Sequence, residues 1–267
     1  MKKLAALALL LTLTAFSAAA RAAPLQLLFF YPGGQGSQEA AQPLLDAFAE
    51  SLKKASGGKI EATVAYISDA QAGLDFVKAR KPGAAVLSLD SYLQHAPGWG
   101  ATVIAKTLQL PSGDGTDRYF IVGKKGASLP TSGPLTLLSQ RPFSPDFVAK
   151  QLFPQLQGMQ LSIQPLRNPV GALRAVGMGE KSDFILLDQF EYANVMRLRT
   201  AWVAGLAAAA ESPKVSSAPV VVFPGPGSAE LGAELQKALV KLGSDPSAQA
   251  TLQELRMKGF KAAQGLE

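Results

Sequence analysis

Short apolar segments alternate with helical ones along this chain, and that alternation constrains the fold more than any other feature. An apolar run at residues 25–31 leads through Pro32-Gly33-Gly34-Gln35-Gly36 into a stretch where Leu44, Leu45, Phe48 and Leu52 recur at helical spacing. Gly57-Gly58 ends that helix. A strand is expected over residues 60–67, a short helix over 69–79 and a second strand over 84–89, each bounded by Gly, Pro or Asp. The same order returns further on, with strands expected at 135–139, 161–166 and 184–187 and helices at 145–153 and 170–178. Strands and helices in this order call for mostly parallel sheets flanked by crossover helices, and ligands on such sheets sit beyond the carboxyl ends of the strands.

The recurrence extends to residues. Leu74-Asp75-Phe76-Val77 leads through Gly83 to an apolar strand ending in Asp90 and Tyr92, while Leu173-Arg174-Ala175-Val176 leads through Gly179 to one ending in Asp188, with Tyr192 close behind. Two α/β lobes are therefore expected, the first over residues 23–108 and the second over 109–205. Residues 206–215 would lead the chain back to the first lobe, where 219–223 adds a strand and 229–242 and 246–257 pack as helices. Two crossings between lobes would make a hinge and a cleft.

Residues 1–22 read as a cleavable export signal, with Lys2 and Lys3, an apolar run to Ala20 and the small-x-small end Ala20-Arg21-Ala22. The run is shorter than the ~20 residues that span a bilayer, which disfavours a retained anchor. A mature chain working in the periplasm has no cytosolic supply of ATP or NAD. The absence of cysteine removes disulfides and lipid attachment after the signal. Removing Lys2, Lys3 and Arg21 lowers the formal charge from +6 to +3. The remaining basic residues are scattered, so nucleic acid is not an expected partner. A monomer is expected.

Catalysis finds little support. The one histidine, His95, lies in the turn-like Gln94-His95-Ala96-Pro97-Gly98, and there is no Gly-x-Ser-x-Gly elbow. Cys/His metal sets and calcium-loop spacings are missing. Asp183 and Asp188, five positions apart about a strand, would point to opposite sides. No enzyme activity, cofactor or metal is expected. An iron site would have to draw on Tyr31, Tyr66, Tyr92, Tyr119 and Tyr192, among which no two are adjacent.

Binding residues are easier to nominate. Gly33 to Ser37 places glycines, which let backbone approach a ligand, before a helix whose unpaired N–H groups favour an anion. Neither a third glycine for a dinucleotide fingerprint nor a Gly-Lys-Ser/Thr ending is present. Capping by Ser37 would use the same donors. Ser144, Pro145 and Asp146 form a second helix start, and Arg141 stands just before it, where a guanidinium can clamp an oxyanion. Tyr92 and Tyr119 are placed to wall a cleft, and Asn168 and Asp188 are lesser candidates. The ligand-binding set expected here is Tyr31, Gly34, Gln35, Gly36, Ser37, Ser88, Tyr92, Tyr119, Arg141, Ser144, Asn168 and Asp188.

Pro43-Leu44 in the first helix, the run Val86-Leu87-Ser88-Leu89-Asp90-Ser91-Tyr92, and Ala175-Val176, Gly179 and Asp183 to Asp188 together resemble the phosphate, phosphite and phosphonate type of periplasmic substrate-binding protein. The resemblance implies the type 2 two-lobed fold, closure on a small oxyanionic solute, and delivery to the permease of an ABC importer. Arg141-Pro142-Phe143-Ser144-Pro145 stands where that family's phosphonate binders carry Ser-Thr-Ser-Gly, and Asn168-Pro169 where they carry His-Asp. The alternative is a ligand-sensing or partner-binding subunit of a membrane receptor, with the ancestral specificity changed or lost. Expressed with its first 22 residues, the protein should accumulate in the periplasm with Ala23 at its N-terminus. Intact mass measurement checks this, and an uncut, membrane-retained chain would refute it.

Overall fold

The computed structural model describes residues 24–266, so the signal expected over residues 1–22 lies outside the described residues. Strand β1 (Leu25–Phe30) is buried from Leu27 onward and pairs in parallel with β2 (Ala62–Ile67) on one side and β3 (Ala84–Leu87) on the other. Its unbroken apolar run is what a strand covered on both faces requires. Leu27 and Phe29 face α1 (Gln38–Ala55), while Leu28 and Phe30 face α2 (Ala70–Arg80). These helices make the crossovers.

Ser88 alone separates β3 from α3 (Leu89–Trp99), and its hydroxyl caps that helix by accepting the Ser91 N–H at 3.3 Å. The strand expected to reach Leu89 therefore stops short, and the turn expected around His95 is helical. Pro97 stands in the last turn, and the helix closes on Gly100 at φ 63°. Strand β4 (Thr102–Gln109), not expected from the sequence, carries the chain across the sheet to β5 (Thr116–Asp117) and into the second lobe.

That lobe comprises β6 (Tyr119–Lys124), β7 (Pro134–Ser139), α4 (Pro145–Phe147), β8 (Gln160–Pro165), α5 (Pro169–Gly177), β9 (Phe184–Asp188), α6 (Gln189–Met196) and β10 (Leu206–Glu211). Its sheet runs β10-β6-β9-β7-β8. Helix α4 opens into a π-helical turn over Val148–Leu152, where the Phe153 N–H reaches the Val148 carbonyl at 2.8 Å. The helix expected over 145–153 is thus wider than an α-helix for most of its length. Residues 206–211, expected to lead the chain back, are an edge strand here, because Leu206 joins the cluster of Val122, Leu173 and Val176.

The return begins at β11 (Val215–Ser216), which pairs antiparallel with β5. The two crossings between lobes therefore run side by side as a short ribbon, where the sequence leads one to expect a hinge. Next come β12 (Pro219–Val222), α7 (Ser228–Leu242), α8 (Gln249–Glu254) and β13 (Met257–Ala262), completing the first sheet in the order β13-β4-β12-β3-β1-β2. Residues 246–257, expected as one helix, divide into a 3-10 turn, α8 and the start of β13. The expected α/β class with two sheet bodies is present. Both sheets are mixed rather than mostly parallel, because the strands carrying the chain between lobes and back add antiparallel pairs to the βαβ units.

Phe48 anchors the first core, edge-on to Phe29 at 5.4 Å and tilted against Phe260 at 6.1 Å. It ties α1, β1 and the last strand together. Phe48→Ala should destabilise the protein by about 3–5 kcal/mol through lost burial and the cavity left behind. Denaturant unfolding measures this, and a loss below ~1 kcal/mol would show that the site collapses around the smaller residue.

Candidate functional site

Beyond β1 the chain leaves the sheet at Tyr31 and meets the second lobe. Gly33, at φ 71°, lies so close that a Cβ there would come within 2.4 Å of Pro142 Cδ. Gly34 is equally confined, since a Cβ would fall 2.2 Å from the Tyr66 hydroxyl, which donates to the Gln35 carbonyl at 3.0 Å. Side chains then link the lobes. Gln35 donates to Gln140 at 2.8 Å, and the Asp90 carboxylate accepts both the N–H and the hydroxyl of Ser144 at 3.1 Å. The Arg256 guanidinium lies 4.8 Å from the centre of the Phe190 ring.

Two cavities remain between the lobes. The larger, about 260 Å³, is walled by Tyr31, Gly34 and Gln35, by Ala41, Leu44 and Leu45 of α1, and by Tyr66 and Gln109. Asp117 of the hinge ribbon, Arg141, Asp188 and Phe190 of the second lobe, and residues 254–257 complete it. The smaller, about 80 Å³, lies over the start of α3, with Ser88, Asp90, Ser91 and His95 facing Pro142 and Phe143. Tyr31 and Arg141 line both, so they form the partition.

Arg141 is ion-paired with Asp188, whose side chain is 6% exposed. Burial works against the Arg141 charge, but Asp188, Tyr119 and Glu191 outweigh it and hold the guanidinium charged. Asp188 also caps α6, accepting the Glu191 N–H at 2.8 Å, while the Glu191 carboxylate accepts the Asp188 N–H at 2.9 Å. Asp117 is less well served. It is 4% exposed, accepts the Arg118 N–H at 2.8 Å, and makes no other hydrogen bond among the described residues. Burial, then the like charge of Asp188, pushes Asp117 up to about 7 against the pull of Arg141. The same causes raise Glu191. Burial also raises the phenols of Tyr31 and Tyr66.

Of the residues expected to bind ligand, Tyr31, Gly34, Gln35, Arg141 and Asp188 come together on the larger cavity, and Ser88 lies on the smaller. Gly36 and Ser37 lie on neither. Gly36 takes φ 87° in open space, and Ser37 caps α1 by accepting the Ala40 N–H at 3.2 Å. Tyr92 packs on the apolar face of the first sheet, and Tyr119 is buried edge-on to Phe143 and Phe147. Asn168 is an exposed cap for α5. Ser144 touches the other lobe rather than a cavity. The donors nominated for an oxyanion are thus engaged, Ser144 by Asp90 and Arg141 by Asp188.

The expected ligand-binding set left out Asp117, Gln109, Phe190 and Arg256, and Tyr66, which the sequence offered only to an iron site. Tyr66 is near the end of β2, and strand position could have found it; Asp117 sits on the inter-lobe ribbon, Gln109 at the end of the unexpected β4, Phe190 in the first turn of α6 and Arg256 beyond α8, where no local pattern marks them. For Asp117 and Glu191 the folded chain holds a proton more tightly than the unfolded chain, whose carboxylates titrate near 4. Their ionisation therefore lowers stability as pH rises from about 4 to about 7. Asp117→Asn should flatten the fall in melting temperature between pH 5 and pH 8. An unchanged slope would refute the assignment.

No protein-family model and no curated protein matches the chain. Solved structures do. A binding protein component of an ABC phosphonate transporter from Pseudomonas aeruginosa is 14% identical, with a TM-score of 0.62, and the match covers 90% of this chain and 82% of that one. PhnD1 from Prochlorococcus marinus, solved with methylphosphonate, is also 14% identical at a TM-score of 0.62, over 91% of this chain and 94% of that one. An ancestral arginine-binding protein bound to arginine is 13% identical at 0.50, over 86% of this chain and 97% of that one. At such identity the likeness is one of fold. The chain has the two-lobed α/β fold of the periplasmic binding proteins that its sequence resembles.

Proposed function

We propose that the protein captures a small solute in the larger cavity between its lobes and presents the closed form to the permease of an ABC importer. The cavity carries this reading, because it lies beside the hinge ribbon and is walled from both lobes, so that closure encloses a ligand and opening releases it. Its ~260 Å³ falls just under the ~300 Å³ lower end of ligand pockets. The chemistry is recognition. His95 stacks on Trp99 at 5.6 Å within α3, away from the larger cavity.

A second reading, a sensing subunit of a membrane receptor, is favoured by the Asp90–Ser144 bonds, which hold the lobes together through the protein's own side chains. The importer reading requires a ligand, whereas the sensing reading survives the loss of the ancestral one. Thermal unfolding of the exported protein against a broad panel of carboxylates, phosphonates, sulfonates, amines and sugars tests them. A compound at a hundred times its dissociation constant should add about 2.7 kcal/mol of stability. Leu44→Trp, which fills the cavity, should abolish the shift. No shift with any compound would overturn solute binding.

A further inference from the structure

We infer that the larger cavity takes an organic cation, a small molecule with an ammonium-like head on an apolar body; this rests on the solute-binding reading above. The charged groups on the cavity wall differ in how they are paired. Asp188 spends its charge on Arg141, and Arg256 lies on the Phe190 ring and donates to Gln35 at 3.2 Å. Both guanidiniums on the cavity wall therefore already have a partner. Asp117 differs from both. Its carboxylate lines the cavity, is almost wholly buried, and keeps one oxygen without a hydrogen-bond donor among the described residues.

Burial makes the Asp117 charge costly despite the pull of Arg141, and an arriving ammonium would offset that cost with a charge-assisted hydrogen bond. An arriving anion would face the opposite. It would meet Asp117 and Asp188 with Glu191 behind them, and an Arg141 guanidinium already paired with Asp188. The walls decide what kind of cation fits. Leu44, Leu45 and Met257 offer apolar surface, and Tyr31 and Tyr66 add aromatic rings of the kind that attract cations. A bare metal ion needs several oxygen ligands, and among the described residues no three acidic or histidine side chains are grouped to hold one. An organic head with an apolar body uses the carboxylate, the rings and the aliphatic wall together.

The test is calorimetric titration of the exported protein with n-butylammonium and 2-phenylethylammonium, set against 1-butanol, 2-phenylethanol, phosphate and phenylphosphonate at matched ionic strength. At least one ammonium compound should bind, at least tenfold more tightly than the alcohol of the same shape, and Asp117→Asn should weaken it at least tenfold. Because Asp117 belongs to the hinge ribbon, the comparison of ammonium with alcohol in the unaltered protein decides independently of the variant. An alcohol or a phosphonate binding as tightly as the ammonium compounds, with binding blocked by Leu44→Trp, would overturn the cation and leave solute binding standing. Failure of these probes and of the broad panel alike would overturn both.

Discussion

The Arg141–Asp188 ion pair is the contact on which the arrangement of the cleft depends. It lies where the second lobe, the hinge ribbon and both cavities meet, and Tyr31 of the first lobe stands beside it on the partition. A buried pair is a poor source of stability, but removing one member strands a charge and costs several kcal/mol. Here the two charges also fix neighbours. Asp188 starts α6 through its exchange with Glu191, and the Arg141 charge, paired with Asp188, also acts on the nearby carboxylates of Asp117 and Glu191. Those carboxylates give the cavity its acidic character.

Around that pair, the lobes meet through polar side chains that a ligand would otherwise satisfy. Asp90 occupies the backbone and hydroxyl donors of Ser144, and Gln35 spans to Gln140. Each such bond is worth on the order of 1 kcal/mol net in water-accessible surroundings, so a few of them hold the lobes together without locking them. Between the lobes Asp117 and the aromatic wall lie in a low-dielectric cavity, where a matching charge counts for more than in water.

The sequence repeat has a definite structural meaning. Leu74 to Val77 on α2 and Leu173 to Val176 on α5 pack on their sheets, and each leads through a strand into a helix without an intervening loop. The two units are offset by two residues, since Ser88 caps α3 while Asp188 caps α6. Asp90, the residue that looks equivalent to Asp188, is therefore in the first turn of its helix and free to reach across to Ser144. That difference is invisible in the apolar pattern, because both strands end in the same kind of residue.

Local chemistry was enough to reveal the α/β class, the two-fold recurrence, most strands and the caps at Ser37, Ser144 and Asn168, because burial on two faces and helix initiation leave marks within a few residues. Long-range pairing left none. The placement of β4 and β10, the hinge ribbon and the mixed character of both sheets follow from strands that meet across dozens of residues, and a run such as Leu206 to Glu211 reads the same whether it crosses or pairs. The site shows the same division. Tyr31, Gln35, Arg141 and Asp188 lie at strand ends and helix starts, where sequence position alone nominates them. Asp117, Phe190 and Arg256 become cavity residues only because three separate segments converge, and the chemical character of the cleft depends on which charges that convergence pairs and which it leaves without a partner.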